Sequence, residues 1–137
     1  MPGRLTQSEF IARAIGIPWV RWRSDWQACD CYGLIVLYFR EVLGVELEGR
    51  PATDNGATLD FPPGWNGWSE CGPEHNAACF VGWQSGAPHH CGVIVAGGGM
   101  VLHSDGTDSR PGNVRLTRLS TMQRMYSDIR FYKYNPC

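Results

Sequence analysis

One apolar run, CYGLIVLYFREVL at residues 31–43, constrains this chain more than any other stretch. Cys31, Leu34, Ile35, Tyr38 and Val42 recur at three- and four-residue steps, the spacing of a helix face. Asp30 is a natural N-cap, and Gly44 stands where a C′ glycine belongs. The pattern predicts a helix over Asp30–Leu43 with Cys31 in its first turn. Whatever else the chain builds must bury that helix.

The flanking segments show how. Thr6-Gln7-Ser8-Glu9 reads as a capping box opening a short helix through about Ile15. Gly16 can end it, and Pro18 discourages its continuation. A Trp-rich connector, WVRWRSDWQAC, has no clean period. Residues 45–77 are rich in Gly, Pro, Asn and Asp, too long a stretch for an idle loop, so they are expected to form a binding wall or a docking surface bearing Trp65 and Trp68. Strands are expected at Ala78–Trp83, Cys91–Ala96 and Met100–Ser104, the last two joined at Gly97-Gly98-Gly99 as a hairpin. A short helix around Ser120–Tyr126 follows. The final stretch, IRFYKY, alternates like a half-buried strand at residues 129–134. Helices followed by a small antiparallel sheet make an α+β layout in one domain spanning residues 1–137.

Bulk properties exclude several roles. The 137 residues suffice for a core without metal or disulfide staples. A formal net charge of −1 offers no electrostatic footprint for nucleic acid. No stretch approaches the roughly 20 apolar residues of a membrane span, so membrane insertion is not expected. The N-terminus lacks the layout of a secretion signal, so synthesis in the cytosol is expected. The six cysteines are irregularly spaced, and the C-x-C at Cys29 and Cys31 matches neither a C-x-x-C redox pair nor a zinc knuckle, although it could contribute to a metal site. Cys29, Cys71, Cys79 and Cys91 are read as structural thiols, a shared metal being the minority alternative.

Chemistry is more specific at Cys31. A thiol in the first turn of a helix feels the partial positive charge of that terminus, and this favours the thiolate. The unpaired amides there can also hold an oxyanion. Cys29 lies before the cap and gains less. A base must come from elsewhere. His75 reads as a surface-loop residue, and His89, His90 and His103 surround the predicted hairpin. A two-residue turn at Gly97-Gly98 sets Gly92 opposite His103 and puts His90 on the face of His103; a three-residue turn puts His89 there instead.

An ordered set of motifs adds to this. Asp30-Cys31-Tyr32-Gly33-Leu34, then His90-Cys91-Gly92-Val93-Ile94, then Met100-Val101-Leu102-His103, with Pro18-Trp19 upstream, resembles the NlpC-type, papain-like cysteine peptidases that cut cell-wall peptides. Ile17-Pro18-Trp19-Val20, the helix end Tyr38-Phe39-Arg40-Glu41-Val42-Leu43-Gly44, and Arg130-Phe131-Tyr132-Lys133-Tyr134 are similar to the phage tail-tip branch of that family. Trp19 stands where the family usually has a tyrosine.

The resemblance implies a papain-like fold with Cys31 as nucleophile, His90 as base and His103 orienting His90, with no metal or other cofactor required. Trp19, Asp30 and Gly92 are expected at the substrate. It further implies a peptidoglycan stem or cross-link peptide as substrate and tail-tip or hub proteins as partners. The site of action would be the virion tail tip, reaching the wall in the periplasm. Two other uses of the scaffold fit the same residues: an inactive structural tail component, and an acyltransferase or deamidase whose thioester is resolved by another acceptor. A cysteine-based metal or cluster module is a third alternative.

Overall fold

A computed structural model describes residues 4–47, 67–74, 78–84 and 86–134. Helix α1 (Gln7–Ala14) begins with the expected capping box: the Glu9 amide donates to Thr6 Oγ1 at 3.1 Å, and the Thr6 amide donates to Glu9 Oε1 at 2.9 Å. Helix α2 (Cys31–Tyr38) is capped by Asp30, whose Oδ1 accepts the Gly33 amide at 2.7 Å. The predicted α-helix to Leu43 is realised differently in its last turn, since Phe39–Leu43 is π-helical. Gly44 closes it in the left-handed conformation at φ 69°. The wider turn begins at Phe39, which is buried against Trp68 and Tyr134 with ring centroids 5.8 and 6.1 Å away.

The sheet comprises β1 (Trp68–Cys71), β2 (Cys79–Gln84), β3 (Ala87–Val95), β4 (Met100–Ser104), β5 (Val114–Arg118) and β6 (Asp128–Tyr134), with a short helix α3 (Leu119–Met122) between the last two. Its order is β1-β6-β2-β3-β4-β5, with antiparallel neighbours throughout. Strands β2, β3, β4 and β6 fall near their expected positions. The edge strands β1 and β5 were not expected. The Gly-rich hairpin keeps the register of a two-residue turn, Val95↔Met100 and Val93↔Leu102, although the connection spans residues 96–99.

Side chains alternate across this sheet. Cys79, Val81, Cys91, Val93, Val95 and Leu102 face α2, every residue of which after Cys31 is buried. Phe10 of α1 covers the far side of α2, with its ring 5.0 Å from Tyr38. Ala78, Phe80, Ile94, Val101, Leu119 and Met122 form a smaller cluster on the other sheet face. Trp68, expected on a docking surface, is instead 5% exposed and belongs to the core beneath α2. Trp65, His75 and most of the 45–77 segment lie outside the described residues. Among the described residues, no helix is long and apolar enough to cross a membrane.

Candidate active site

The register of β3 and β4 builds the site. Extending Val93↔Leu102 by one pair sets Gly92 opposite His103, and His90 lies two residues further along the same face. His90 Nε2 and His103 Nδ1 are 2.9 Å apart. His89 falls at a bulge, where β2 pairs Gly82 with His90 and Trp83 with Pro88, and its side chain is exposed. The choice the sequence left open between His89 and His90 is thus decided by pairing geometry.

Cys31 approaches from the opposite sheet face, at the start of α2. Its thiol is drawn down to about 5, first by a hydrogen bond with the Cys91 thiol and then by contact with and charge from His90, against the upward push of burial. Cys91 is pushed far up by its own burial and therefore remains the proton donor of the pair. Cys29, two residues before Cys31, is raised to about 12, chiefly by burial. Among the described residues the cysteines are free thiols, and none joins a cluster with metal-ligand geometry.

Both histidines are nearly buried, at 9% exposure for His90 and 3% for His103. Burial, aided by His90 and Arg115, pushes His103 down to about 3, so it stays neutral at ordinary pH. Tyr126 stacks on His90 with ring planes 16° apart, and Phe80 meets it edge-on. Gly82 makes that stacking possible, because a Cβ there would lie 2.7 Å from the Tyr126 ring. A cleft of about 370 Å³ opens over Cys31 and His90, with Trp19, His89, Asp105 and Tyr126 among its walls.

The residues expected at the substrate divide. Trp19 does line the cleft, though only 7% of it is exposed. Asp30 points into the scaffold: besides Gly33 it accepts the Trp22 amide through Oδ2 at 2.7 Å, holding Trp22 at φ 66°. Gly92 packs against β4, where a Cβ would sit 2.7 Å from the Leu102 carbonyl oxygen and 2.9 Å from His103 Cβ. Asp30 and Gly92 therefore serve the site by shaping the backbone, not by forming its wall. Sequence reasoning gave Cys91 only a structural role and passed over Tyr126. Strand alternation turns Cys91 toward α2 while His90 faces the other way, a signal available from the sequence; Tyr126 carried none.

A buried imidazole touching an acidic thiol, backed by a neutral second imidazole at the edge of an open cleft, is an arrangement that can support chemistry by a thiol nucleophile. The fold is similar to that of the NlpC/p60 domain of the peptidoglycan hydrolase SagA, with a TM-score of 0.56 over 92% of this chain and 97% of that one, at 18% sequence identity. The chain thus has an α+β, papain-like fold of the NlpC/p60 type. No protein-family model matches the sequence, and no curated protein matches it.

Proposed function

We propose that this protein is a cysteine peptidase that hydrolyses stem or cross-link peptides of peptidoglycan. The observation that carries the reading is the contact of an acidified Cys31 with His90, itself bonded to His103, beside an open cleft. The NlpC/p60-type fold supports it, because the similar SagA domain belongs to a peptidoglycan hydrolase.

In this mechanism the Cys31 thiolate attacks the amide carbonyl carbon, and the carbonyl electron pair moves onto oxygen. The Cys31 amide, in the first turn of α2, helps hold that oxyanion. With Nε2 bonded to His103, His90 uses Nδ1 toward Cys31. It gives its proton to the departing amine as the C–N bond breaks, leaving an acyl thioester. His90 then takes a proton from water, whose oxygen displaces the sulfur and releases the carboxylic acid. Trp19 forms one wall against the peptide.

The motifs at residues 17–20, 38–44 and 130–134 support a tail-tip setting, in which tail or hub proteins carry the enzyme to the periplasmic wall. Of the tryptophans that an inactive tail component would use for docking, Trp19 and Trp68 are buried, while Trp22 is exposed. The test is digestion of purified peptidoglycan by the wild-type protein and Cys31→Ala, with products identified by mass spectrometry. New peptide termini produced only by the wild type support the reading. Walls of several stem-peptide types left uncut by both would overturn it.

A further inference from the structure

We propose that Thr117 is a positioning residue of this centre, its hydroxyl accepting from the His103 tautomer that keeps His90 a base toward Cys31. The inference rests on the peptidase reading for its kinetic consequence, but not for its structural content. Thr117 lies on β5 opposite Val101, diagonal to His103 on the same sheet face. Its Oγ1 is 2.9 Å from His103 Nε2, while His103 Nδ1 is 2.9 Å from His90 Nε2. Cys31, His90, His103 and Thr117 therefore form one continuous chain of contacts from the cleft to the edge strand.

Proton positions along this chain are not independent. When His90 is an imidazolium, its Nε2 has no lone pair and must donate, so His103 Nδ1 must accept. His103 is buried and neutral, so its single proton then sits on Nε2 and is donated to Thr117 Oγ1. The same arrangement serves neutral His90, whose proton remains on Nε2 and whose Nδ1 lone pair faces Cys31. The other His103 tautomer would place two N–H groups nose to nose. To relieve this, neutral His90 would move its proton to Nδ1 and could no longer accept one from Cys31 or from water. A hydroxyl can donate as well as accept, so it is the imidazolium state of His90 that picks the His103 tautomer, and Thr117 Oγ1 supplies the acceptor which that state requires. Without it, the His103 Nε2–H would lack its partner in a nearly closed environment.

Among the described residues, the charged and titratable groups around the pair include Cys31 from α2, Cys91 on β3, Tyr126 after α3, Asp105 after β4, and Arg115 on β5. None of them is altered by Thr117→Val, which keeps the shape and strand preference of the residue. Thr117→Ser keeps the hydroxyl and loses only a methyl group.

The test combines nitrogen-15 NMR of the histidine rings with pH–rate profiles of wild type, Thr117→Val and Thr117→Ser, after checking that each has a dispersed spectrum. In wild type and Thr117→Ser, His103 is expected as the Nε2–H tautomer. Thr117→Val should populate the Nδ1–H form and lower kcat roughly five- to tenfold, the worth of one hydrogen bond, with KM little changed. Its alkaline limb in kcat/KM should move to lower pH, because the imidazolium is less well supported, while the acid limb stays. A Thr117→Val protein with the wild-type tautomer and alkaline limb, or a Thr117→Ser protein that behaves like it, would overturn the proposal. If no variant cleaves any wall peptide but the tautomer still shifts as expected, the peptidase reading fails and the positioning role stands.

Discussion

The two faces of the sheet do different work. The α2 face is a continuous apolar core reaching from Phe10 through the helix to Tyr132. The opposite face has a smaller cluster around Phe80, Ile94 and Met122, then gives way to His90, His103 and Tyr126. Stability is concentrated where burial is complete, while polar chemistry sits where the apolar cover is thin. The candidate centre lies where the faces meet: Cys31 and Cys91 come from one side, His90 and His103 from the other.

The largest expected effect tests that junction. Replacing Cys31 with Ala should lower peptide cleavage by at least about 10³-fold, the scale for losing a nucleophile, with thermal unfolding nearly unchanged. Residual cleavage within tenfold of wild type would mean the two faces meet there without purpose. The division of stability comes next. Leu34→Ala in α2 should cost about 3–5 kcal/mol, and Met122→Ala on the other face about 2–3 kcal/mol. Denaturant titrations giving equal costs would erase the contrast.

Gly92 tests how one face leans on the other. Gly92→Ala should destabilise by about 1–3 kcal/mol through overpacking against β4 and reduce cleavage by displacing His103. A variant with wild-type midpoint and rate would show that β4 yields freely. The smallest perturbation is chemical. Iodoacetamide at pH 6 should alkylate Cys31, held near 5, and leave Cys29, held near 12, untouched, as read by peptide mass spectrometry. The same shift has a stability sign: a depressed folded-state value stabilises above the ordinary thiol range and is lost as pH falls through about 5. His103 acts in the same sense, because below about 6.5 the unfolded chain binds a proton that the folded one refuses down to about 3. His103→Gln should therefore flatten the loss of stability between those pH values in urea titrations.

Much of this could be read in advance where local patterns were strong. The capping box, the Asp30 cap, the Gly44 stop and the hairpin register are short-range features, and each is realised. Strands β1 and β5 escaped because both lie at the sheet's edges, where polar residues such as Ser69, Glu70 and Arg115 interrupt the apolar alternation. The π-helical turn escaped because five residues are too short a window for a hydrophobic period to distinguish it from an α-helix. Asp30 and Gly92 were expected at a substrate because motifs mark position without direction; the directions of Asp30's two oxygens and of Gly92's missing Cβ are tertiary facts.

The amino-acid sequence by itself determined the helix that carries Cys31, the strands that carry His90 and His103, and the α+β order in which they occur. Those follow from hydrophobic period, caps and turns, which act over a few residues. Tertiary structure alone decided that Cys91 would support the Cys31 thiolate, that Tyr126 would cover His90, and that Thr117 would end the chain of contacts behind His103. These pairings join residues far apart in the sequence, and only the packing of α2 on a twisted sheet brings them within hydrogen-bond reach.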